Sequence, residues 1–234
     1  MWHASKRHLN AHHKFSVRGY QATHFSREGH KEGVLILTRN AIPCSEVSVI
    51  SDNQAEIIGV DIMIKDVKFR IFNLYSPADK DLTLSNMKIT ATNCIIVGDF
   101  NSRSERWGYP DTDNRGDQVE DWEIDSNLHL LNKADDTSSF YSRRWFTTST
   151  PDLAFCTGDI LHKIDRHVLD QLAGSDHRPI KLVMNMEYVP QEQKPLPRWN
   201  YKRADWDRFA ILTDKYCENI KTRHGNMKQM VVVW

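Results

Sequence analysis

Cysteine is scarce in this sequence, with four residues among 234, and they stand far apart: Cys44, Cys94, Cys156 and Cys217. Without a CxxC pair, a zinc ribbon and a thioredoxin-like motif are excluded, and a reduced intracellular chain is the simpler interpretation. No apolar run approaches the roughly 20 residues that a membrane span requires, and the N-terminus lacks the apolar segment of a secretory signal. These absences predict an intracellular protein without a membrane partner.

An excess of charge of either sign is also missing, because 31 basic side chains balance 31 acidic ones. The sequence therefore does not predict the strong overall positive field of many nucleic-acid-binding proteins. A local basic cleft on a neutral body remains compatible with this balance. Hydrophobic residues make up 40% and charged residues 26%, which is the ordinary composition of a globular protein.

Short apolar runs separated by polar turns predict a chain rich in strands. Strands are predicted at residues 33–38, 55–64, 67–74, 94–97, 153–156 and 180–184, the second and third forming a hairpin. Helices are predicted at residues 117–126 and 204–220, with a weaker signal at 82–90. Val119 and Trp122 share one face of the first helix, and Trp122 and Trp206 are predicted to pack in the core. The pattern is that of a mixed α/β (α+β) protein.

A proline-rich stretch at residues 188–198 contains few apolar residues and is typical of a linker. We therefore predict a domain over residues 1–187 and a linker over 188–203. A helical segment follows over residues 204–234.

The segment CIIVGDFN places Asp99 and Asn101 at the end of a buried strand. On an extended chain, residues two apart face the same side, so both side chains would project into one cleft. The carboxylate can bind a metal or orient a water molecule, and the carboxamide can donate to a phosphate oxygen. The alternative is a strand followed by an Asx turn without a catalytic role.

Three further segments carry reactive side chains. GSDHRP places Asp176 beside His177, a pair suited to acid–base chemistry or to a solvated surface turn. NLYSP ends a strand with Tyr75, whose hydroxyl either contacts a phosphate or belongs to an ordinary half-buried tyrosine. Asp152 in PDLAF either holds a histidine in one tautomer or terminates a turn.

The order NLYSP, GDFN, PDLAF and SDHRP over residues 6–185 resembles the endonuclease/exonuclease/phosphatase superfamily. Between the second and third motifs stand Trp107-Gly108, Asn114-Arg115-Gly116 and a leucine-rich segment ending at Asn132. This pattern is similar to the endonuclease domain of non-LTR retrotransposons. The tail PRWNY resembles the connector that precedes a reverse transcriptase in such elements.

The resemblance implies a DNase I-like, two-sheet sandwich flanked by helices, with the first strands missing. It implies hydrolytic nicking of DNA with Mg²⁺ or Mn²⁺, leaving a 3′-hydroxyl, in a nuclear protein whose polyprotein also carries a reverse transcriptase.

By the same resemblance, Asp99 orients the attacking water, Asn101 contacts the phosphate and Tyr75 stabilises the transition state. Asp152 holds His177, which faces the phosphate. Asp176 and Asp99 bind the metal. The candidate contacts to the DNA backbone, each of which has solvated loop charge as its alternative, are Arg103, Arg106, Arg115, Arg143 and Arg144.

One position departs from the family pattern, because Lys6 stands where the family places a glutamate that binds the metal. A lysine would bring a positive charge to the cation, so we expect impaired activity. The strand with an asparagine that begins the family's domain is absent from this sequence, so we also expect the domain to be truncated at its N-terminus. A catalytically inactive transposon remnant or binding module is one alternative. A phosphatase or phospholipase of the same superfamily is another.

Overall fold

The structure is a computed structural model that describes residues 3–6, 16–26, 33–47, 55–82, 84, 89, 92–170, 172, 174–185 and 205–217. The chain divides into two compact units, residues 1–187 and 188–234. Among the described helices, none has the length and apolar character needed to cross a membrane.

Strands dominate the first unit. They are β1 (His3–Lys6), β2 (Tyr20–Ser26), β3 (Gly33–Arg39), β4 (Cys44–Val47), β5 (Glu56–Ile64), β6 (Val67–Tyr75), β7 (Cys94–Asp99), β8 (Leu128–Leu130), β9 (Phe140–Ser142), β10 (Thr147–Ser149), β11 (Asp152–Thr157), β12 (Ile164–Val168) and β13 (Ile180–Met184). The helices are α1 (Asn114–Asp125) and, in the second unit, α2 (Trp206–Cys217), with 3-10 turns at Glu105–Trp107 and Leu161–Lys163. All six predicted strands are confirmed.

Six strands form the central sheet in the order β4-β5-β6-β7-β11-β8, and β1-β3-β2 form a second sheet. Two strand pairs, β9–β10 and β12–β13, complete the pairing of the described strands. Val34 and Ile36 of β3 pack with Ile58 and Ile71 in a core on one face of the central sheet. The predicted α/β sandwich is confirmed.

The other face of the central sheet is covered by α1. Val119 and Trp122 of this helix are buried, and the Trp122 ring meets Phe155 of β11 edge-on at 5.3 Å between centroids. The helix begins at Asn114 rather than at residue 117, because the Asp113 side chain accepts a hydrogen bond from the Gly116 N–H and caps the helix.

Predictions for the remaining helices have a mixed outcome. In the second unit α2 occupies most of the predicted residues 204–220, although 204 and 218–220 lie outside the described residues. Most of the predicted helix at 82–90 also lies outside them. The prediction that Trp206 is a core residue is wrong, since its exposed fraction is 54%. Trp206 is the first residue of α2, and the described part of that unit contains no strand against which it could pack.

The β5–β6 hairpin carries a cross-strand ion pair at its exposed end. Lys65 and Asp66 occupy the turn with φ of 50° and 61°, as the common two-residue hairpin turn requires. Asp61 accepts hydrogen bonds from Arg70 at 2.7 and 2.9 Å and lies 2.6 Å from the ammonium group of Lys68. The Arg70 hydrogen bond, helped by Lys68 and opposed by burial, keeps the pKa of Asp61 below its ordinary value.

We expect Asp61→Asn to lower the free energy of unfolding by about 1–2 kcal/mol at pH 7. Since the folded-state pKa is depressed, the carboxylate stabilises the fold above its unfolded value of 3.8, and this contribution is lost as the pH falls through the folded value. Urea unfolding between pH 7 and 3 measures the difference, with Asp66→Asn at the exposed turn as the matched control. A difference between wild type and Asp61→Asn that does not change with pH would contradict the ion pair.

Candidate active site

Three neighbouring strands of the central sheet bring their functional residues to one edge of the sheet, which is the line formed by the ends of these strands. In the register of the parallel strands β6 and β7, Tyr75 lies beside Asp99. Strand β11 runs antiparallel to β7 and begins there, with Asp152 opposite Asp99. Because two strands end and one begins at the same level, three residues that are distant in sequence become neighbours.

His177 joins this edge from the segment that precedes β13. Its backbone bridges to Phe140 of β9, and its ring contacts the Phe140 ring with centroids 5.0 Å apart. The ring Nδ1 lies 2.8 Å from Oδ2 of Asp152. Asp99, Asp152 and His177 each present a donor atom within 4.8 Å of the others. The structure thus brings together the aspartates of GDFN and PDLAF and the histidine of SDHRP.

The protonation of His177 is governed by its acidic surroundings. Burial alone would lower the pKa of the imidazole, but the hydrogen bond to Asp152 and the charges of Asp152, Asp99 and Asp176 outweigh it. The pKa of His177 is therefore raised above its ordinary value. With Asp152 ionised, Nδ1 carries a proton toward the carboxylate, and Nε2 becomes the atom that can face a substrate.

Asp152 is itself held by residues that the sequence did not single out. The buried Ser139 hydroxyl donates to Oδ2 of Asp152 at 2.6 Å. The Asn132 amide group donates to the Asp152 carbonyl at 3.0 Å and accepts from the Ala154 N–H. Arg166 donates to the same carbonyl at 3.5 Å and forms an ion pair with Asp136 at 2.8 Å. Asn132 is the last residue of the leucine-rich segment noted in the sequence. Nothing in the sequence, however, indicates that Asn132, Ser139 or Arg166 contacts Asp152.

Asn101 lies in the site by a different route from the one the sequence suggested. Strand β7 ends at Asp99, and Asn101 has φ of 47°, so the chain is not extended here. The Asn101 N–H donates to Oδ1 of Asp99 at 3.1 Å, which is an Asx turn, and its side-chain amide donates to the Ser76 carbonyl at 2.9 Å. The expectation of two side chains facing one way on an extended strand is wrong. The Asx turn and the clustered carboxylate occur together.

Tyr75 and Asp176 have different environments. Tyr75 is 6% exposed at the end of β6. Asp176 is exposed, and its carbonyl accepts a hydrogen bond from the Tyr141 N–H. Within the described residues, the group of donors that could hold a cation contains Asp152 and His177 with Asp99, but not Asp176. The role of Asp176 as a ligand stays a prediction.

The five predicted arginine contacts divide into two classes. Arg103, Arg143 and Arg144 are exposed, and Arg144 lies over the Trp145 ring at 4.7 Å. Arg106 forms an ion pair with Glu123 at 2.5 Å, and Arg115 donates to acceptors within the protein. A guanidinium occupied in this way is less available to a phosphate, so these two residues are weaker candidates for a DNA contact than the other three. The side chain of Lys6 lies outside the described part of the chain.

The clustered donors suit a divalent cation. Carboxylate oxygens are the preferred ligands of Mg²⁺ and Mn²⁺, and imidazole nitrogen is accepted by Mn²⁺ and other transition metals. Asp99 supplies a carboxylate that is only 9% exposed, at the end of a strand fixed by pairing on both sides. The residues present therefore fit a cation site of this type.

Comparison with known proteins agrees with this geometry. Residues 69–181 match the profile of the family described as Endonuclease-reverse transcriptase. No protein with a curated description matches the chain.

Solved structures share the fold. The endonuclease domain of TRAS1, a telomere-specific non-LTR retrotransposon, is 24% identical, with a TM-score of 0.64 over 74% of this chain and 81% of that one. An AP endonuclease from Archaeoglobus fulgidus is 14% identical, with a TM-score of 0.60 over 79% and 89% of the two chains. The AP endonuclease LMAP from Leishmania major is 14% identical, with a TM-score of 0.56 over 76% of each. These likenesses establish a DNase I-like sandwich.

Proposed function

We propose that the chain is a metal-dependent, DNA-nicking endonuclease of a non-LTR retrotransposon, since residues 69–181 match the profile of the endonuclease-reverse transcriptase family. The observation that carries the proposal is the convergence of Asp99, Asp152 and His177 within 4.8 Å, with His177 bonded to Asp152. A strand end with a buried carboxylate beside an acid–base pair suits phosphodiester hydrolysis, which needs a water molecule oriented and deprotonated beside the phosphate.

The reaction is attack of a water oxygen on phosphorus, in line with the bond from phosphorus to the 3′ oxygen. That bond breaks, the 3′ oxygen takes a proton from solvent water, and the products are a 3′-hydroxyl and a 5′-phosphate. Asp99 orients the water and accepts its proton. Asp152 fixes the His177 ring through Nδ1, so that Nε2 can bond to the phosphate as negative charge builds on it.

Asn101 and Tyr75 assist from the same edge. An amide group has two N–H donors, so Asn101 can contact a phosphate oxygen while it keeps its bond to the Ser76 carbonyl. Tyr75, in register with Asp99, would place its hydroxyl toward the charge that develops in the transition state. Tyr75 is the last residue of β6, and Asn101 lies two residues beyond the end of β7, where its bond to the Ser76 carbonyl holds it.

A divalent cation, Mg²⁺ or Mn²⁺, would be held by Asp99 with oxygen ligands from the substrate phosphate. When bound, it neutralises charge on the phosphate and on the leaving oxygen. His177 and Asp152 lie close enough to share the site, but their mutual hydrogen bond suits the acid–base role better. Asp176, the second predicted ligand, is exposed beside His177 and would be available to the same cation.

The exposed arginines on the β9–β10 hairpin provide a surface for DNA. Arg143 and Arg144 lie in the turn beside Trp145 and Phe146, whose exposed fractions are 67% and 79%. Phe140, at the start of the same hairpin, contacts His177, so the hairpin extends from the catalytic edge. Guanidinium groups can bond to backbone phosphates, and exposed aromatic rings can stack on bases.

The remainder of the proposal concerns the element. The endonuclease domain would occupy residues 1–187, and residues 188–203 would link it to a helical segment, 204–234, that leads toward a reverse transcriptase. Such a protein would act in the nucleus, where the target DNA lies.

Incubation with supercoiled plasmid tests the function. We expect conversion to the nicked circle with Mg²⁺ or Mn²⁺, complete inhibition by a chelator, and recovery when the cation is restored. Asp99→Asn, purified in parallel, controls for contaminating nucleases, because it keeps the shape of the side chain and removes its charge. Nicking that is equal in Asp99→Asn, or that persists in chelator, would refute the proposal.

Two other outcomes separate the alternatives. Binding of DNA without nicking, in a folded protein, would identify a binding module, consistent with Lys6 at the position where the family places a metal ligand. Hydrolysis of an inositol phosphate or of sphingomyelin would identify a phosphatase or a phospholipase.

A further inference from the structure

Arg115, in the first turn of α1, directs its guanidinium into the protein. Its Nε donates to the Asn101 carbonyl at 2.9 Å, and one terminal nitrogen donates to the Lys80 carbonyl at 2.5 Å. The other terminal nitrogen donates to the Phe100 carbonyl and to the Ser76 hydroxyl, both at 2.8 Å. Every nitrogen of the guanidinium is thus engaged with a neighbour in the fold.

These four acceptors belong to two loops that meet at the catalytic edge. Ser76 and Lys80 lie in the loop after β6, and Phe100 and Asn101 lie in the loop after β7. The Ser76 N–H in turn donates to the Asp99 carbonyl at 2.9 Å. Arg115 therefore ties together the two strand ends that carry Tyr75 and Asp99.

The loop that Arg115 holds has an unfavourable backbone conformation. Asn101 has φ of 47°, which lies in the left-handed region that residues other than glycine adopt at some cost. Its N–H bonds to Oδ1 of Asp99, so the turn also sets the direction of that carboxylate. Two of the four bonds from Arg115 end on the carbonyls of Phe100 and Asn101, which stabilises the turn from outside.

The helix delivers Arg115 to these loops with little freedom. A Cβ added at the neighbouring Gly116 would lie 1.8 Å from the Arg103 carbonyl oxygen, so α1 presses directly on the chain that follows β7. The Asp113 side chain, which caps the helix through the Gly116 N–H, also accepts from the Arg103 N–H at 3.1 Å. Burial lowers the pKa of Arg115, which agrees with a guanidinium withdrawn from solvent.

We propose that Arg115 is a positioning residue for Asp99 and Asn101 rather than a contact to DNA. The proposal rests on the nuclease function proposed above, but its structural part can be measured without activity. A lysine cannot replace the arginine, because an ammonium group is a point charge with three donors and lacks the planar fork that reaches four acceptors on two loops.

The test compares Arg115→Lys with Arg143→Ala and Arg70→Lys. Arg143 is an exposed arginine of the hairpin and serves as the reference for a phosphate contact. Arg70 bonds to Asp61 on the β5–β6 hairpin and serves as the reference for loss of a structural arginine outside the site. Steady-state nicking gives kcat and KM, and fluorescence anisotropy of a DNA duplex at several salt concentrations gives the salt dependence of binding.

For Arg115→Lys we expect kcat to fall about 100-fold with KM unchanged, because the catalytic groups are displaced while the DNA surface is intact. The slope of log affinity against log salt should equal that of the wild type. For Arg143→Ala the slope should fall by about 0.9, as the loss of one phosphate contact predicts. If Arg115→Lys instead shows the raised KM and the reduced slope of Arg143→Ala, the arginine contacts DNA and the proposal is overturned.

Hydrogen exchange separates failure of this proposal from failure of the nuclease function. Peptides covering residues 76–80 and 99–103 should exchange faster in Arg115→Lys than in wild type, whereas Arg70→Lys should leave them unchanged. If the wild type does not nick, faster exchange with an unchanged salt slope still supports positioning. Unchanged exchange overturns it. Should Arg115→Lys fail to fold, Ser76→Ala removes one acceptor and should produce the same exchange pattern in weaker form.

Discussion

His177→Ala is expected to reduce DNA nicking about 1000-fold, because it removes the imidazole that stabilises or protonates the reacting phosphate group. Binding of DNA should change little, since His177 is one contact beside the hairpin arginines. His177 is only partly buried, so the variant should remain folded. A plasmid-nicking assay under single-turnover conditions, with thermal unfolding as the check on folding, measures both.

Asp152→Asn should give a loss of similar size for a different reason. The amide keeps the shape of the side chain but can no longer accept a charge-assisted hydrogen bond from the Nδ1 proton, which favours the wrong tautomer of His177. The variant should also lower the pKa of His177, since Asp152 supplies the hydrogen bond and one of the three negative charges that raise it.

The double variant distinguishes a working pair from two independent residues. If Asp152 acts through His177, the double variant should nick no more slowly than His177→Ala alone, since residues that act as a unit are not additive. Additive losses would show that Asp152 has another role. Nicking by His177→Ala equal to that of wild type would remove the catalytic assignment altogether.

Six of the thirteen described strands could be predicted, because each of these six is a short apolar run with a local signal, whereas short polar strands such as β4 and β10 carry no such signal. The edge of the sheet where the site forms also follows from sequence, once Tyr75, Asp99 and Asp152 are recognised at strand ends. What could not be predicted is register, which depends on pairing between distant segments. The alignment of Asp152 with Asp99 is visible only in the folded sheet.

The roles of individual side chains were harder to predict for the same physical reason. Arg115 and Arg143 are both arginines in polar segments, and only the fold shows that one points inward at carbonyl oxygens and the other is exposed. Ser139 stands in the polar run TSSF, yet it donates to a carboxylate 13 positions away. For Asn101 the sequence allowed two alternatives, an Asx turn or a catalytic role. In the structure the Asx turn itself lies at the candidate site.

Gly98→Ala is expected to cause the largest loss of stability, about 3 kcal/mol or more, because the added methyl group would collide with backbone. Its Cβ would lie 1.9 Å from the Leu74 carbonyl oxygen and within 3 Å of two further backbone atoms of Leu74. A side chain could rotate away from such a contact, but the neighbouring strand cannot. Strands β6 and β7 would have to separate where they deliver Tyr75 and Asp99.

Gly158→Ala is the matched control for this effect. There the nearest atom is Nε2 at the end of the His129 side chain, 3.0 Å from the added Cβ, and the imidazole can move. Urea unfolding should therefore show a small change for Gly158→Ala, under about 1 kcal/mol, and a large one for Gly98→Ala. Equal stability of Gly98→Ala and wild type would mean that the ends of β6 and β7 lie further apart than described. The strand pairing that places Tyr75, Asp99 and Asp152 side by side would then be contradicted.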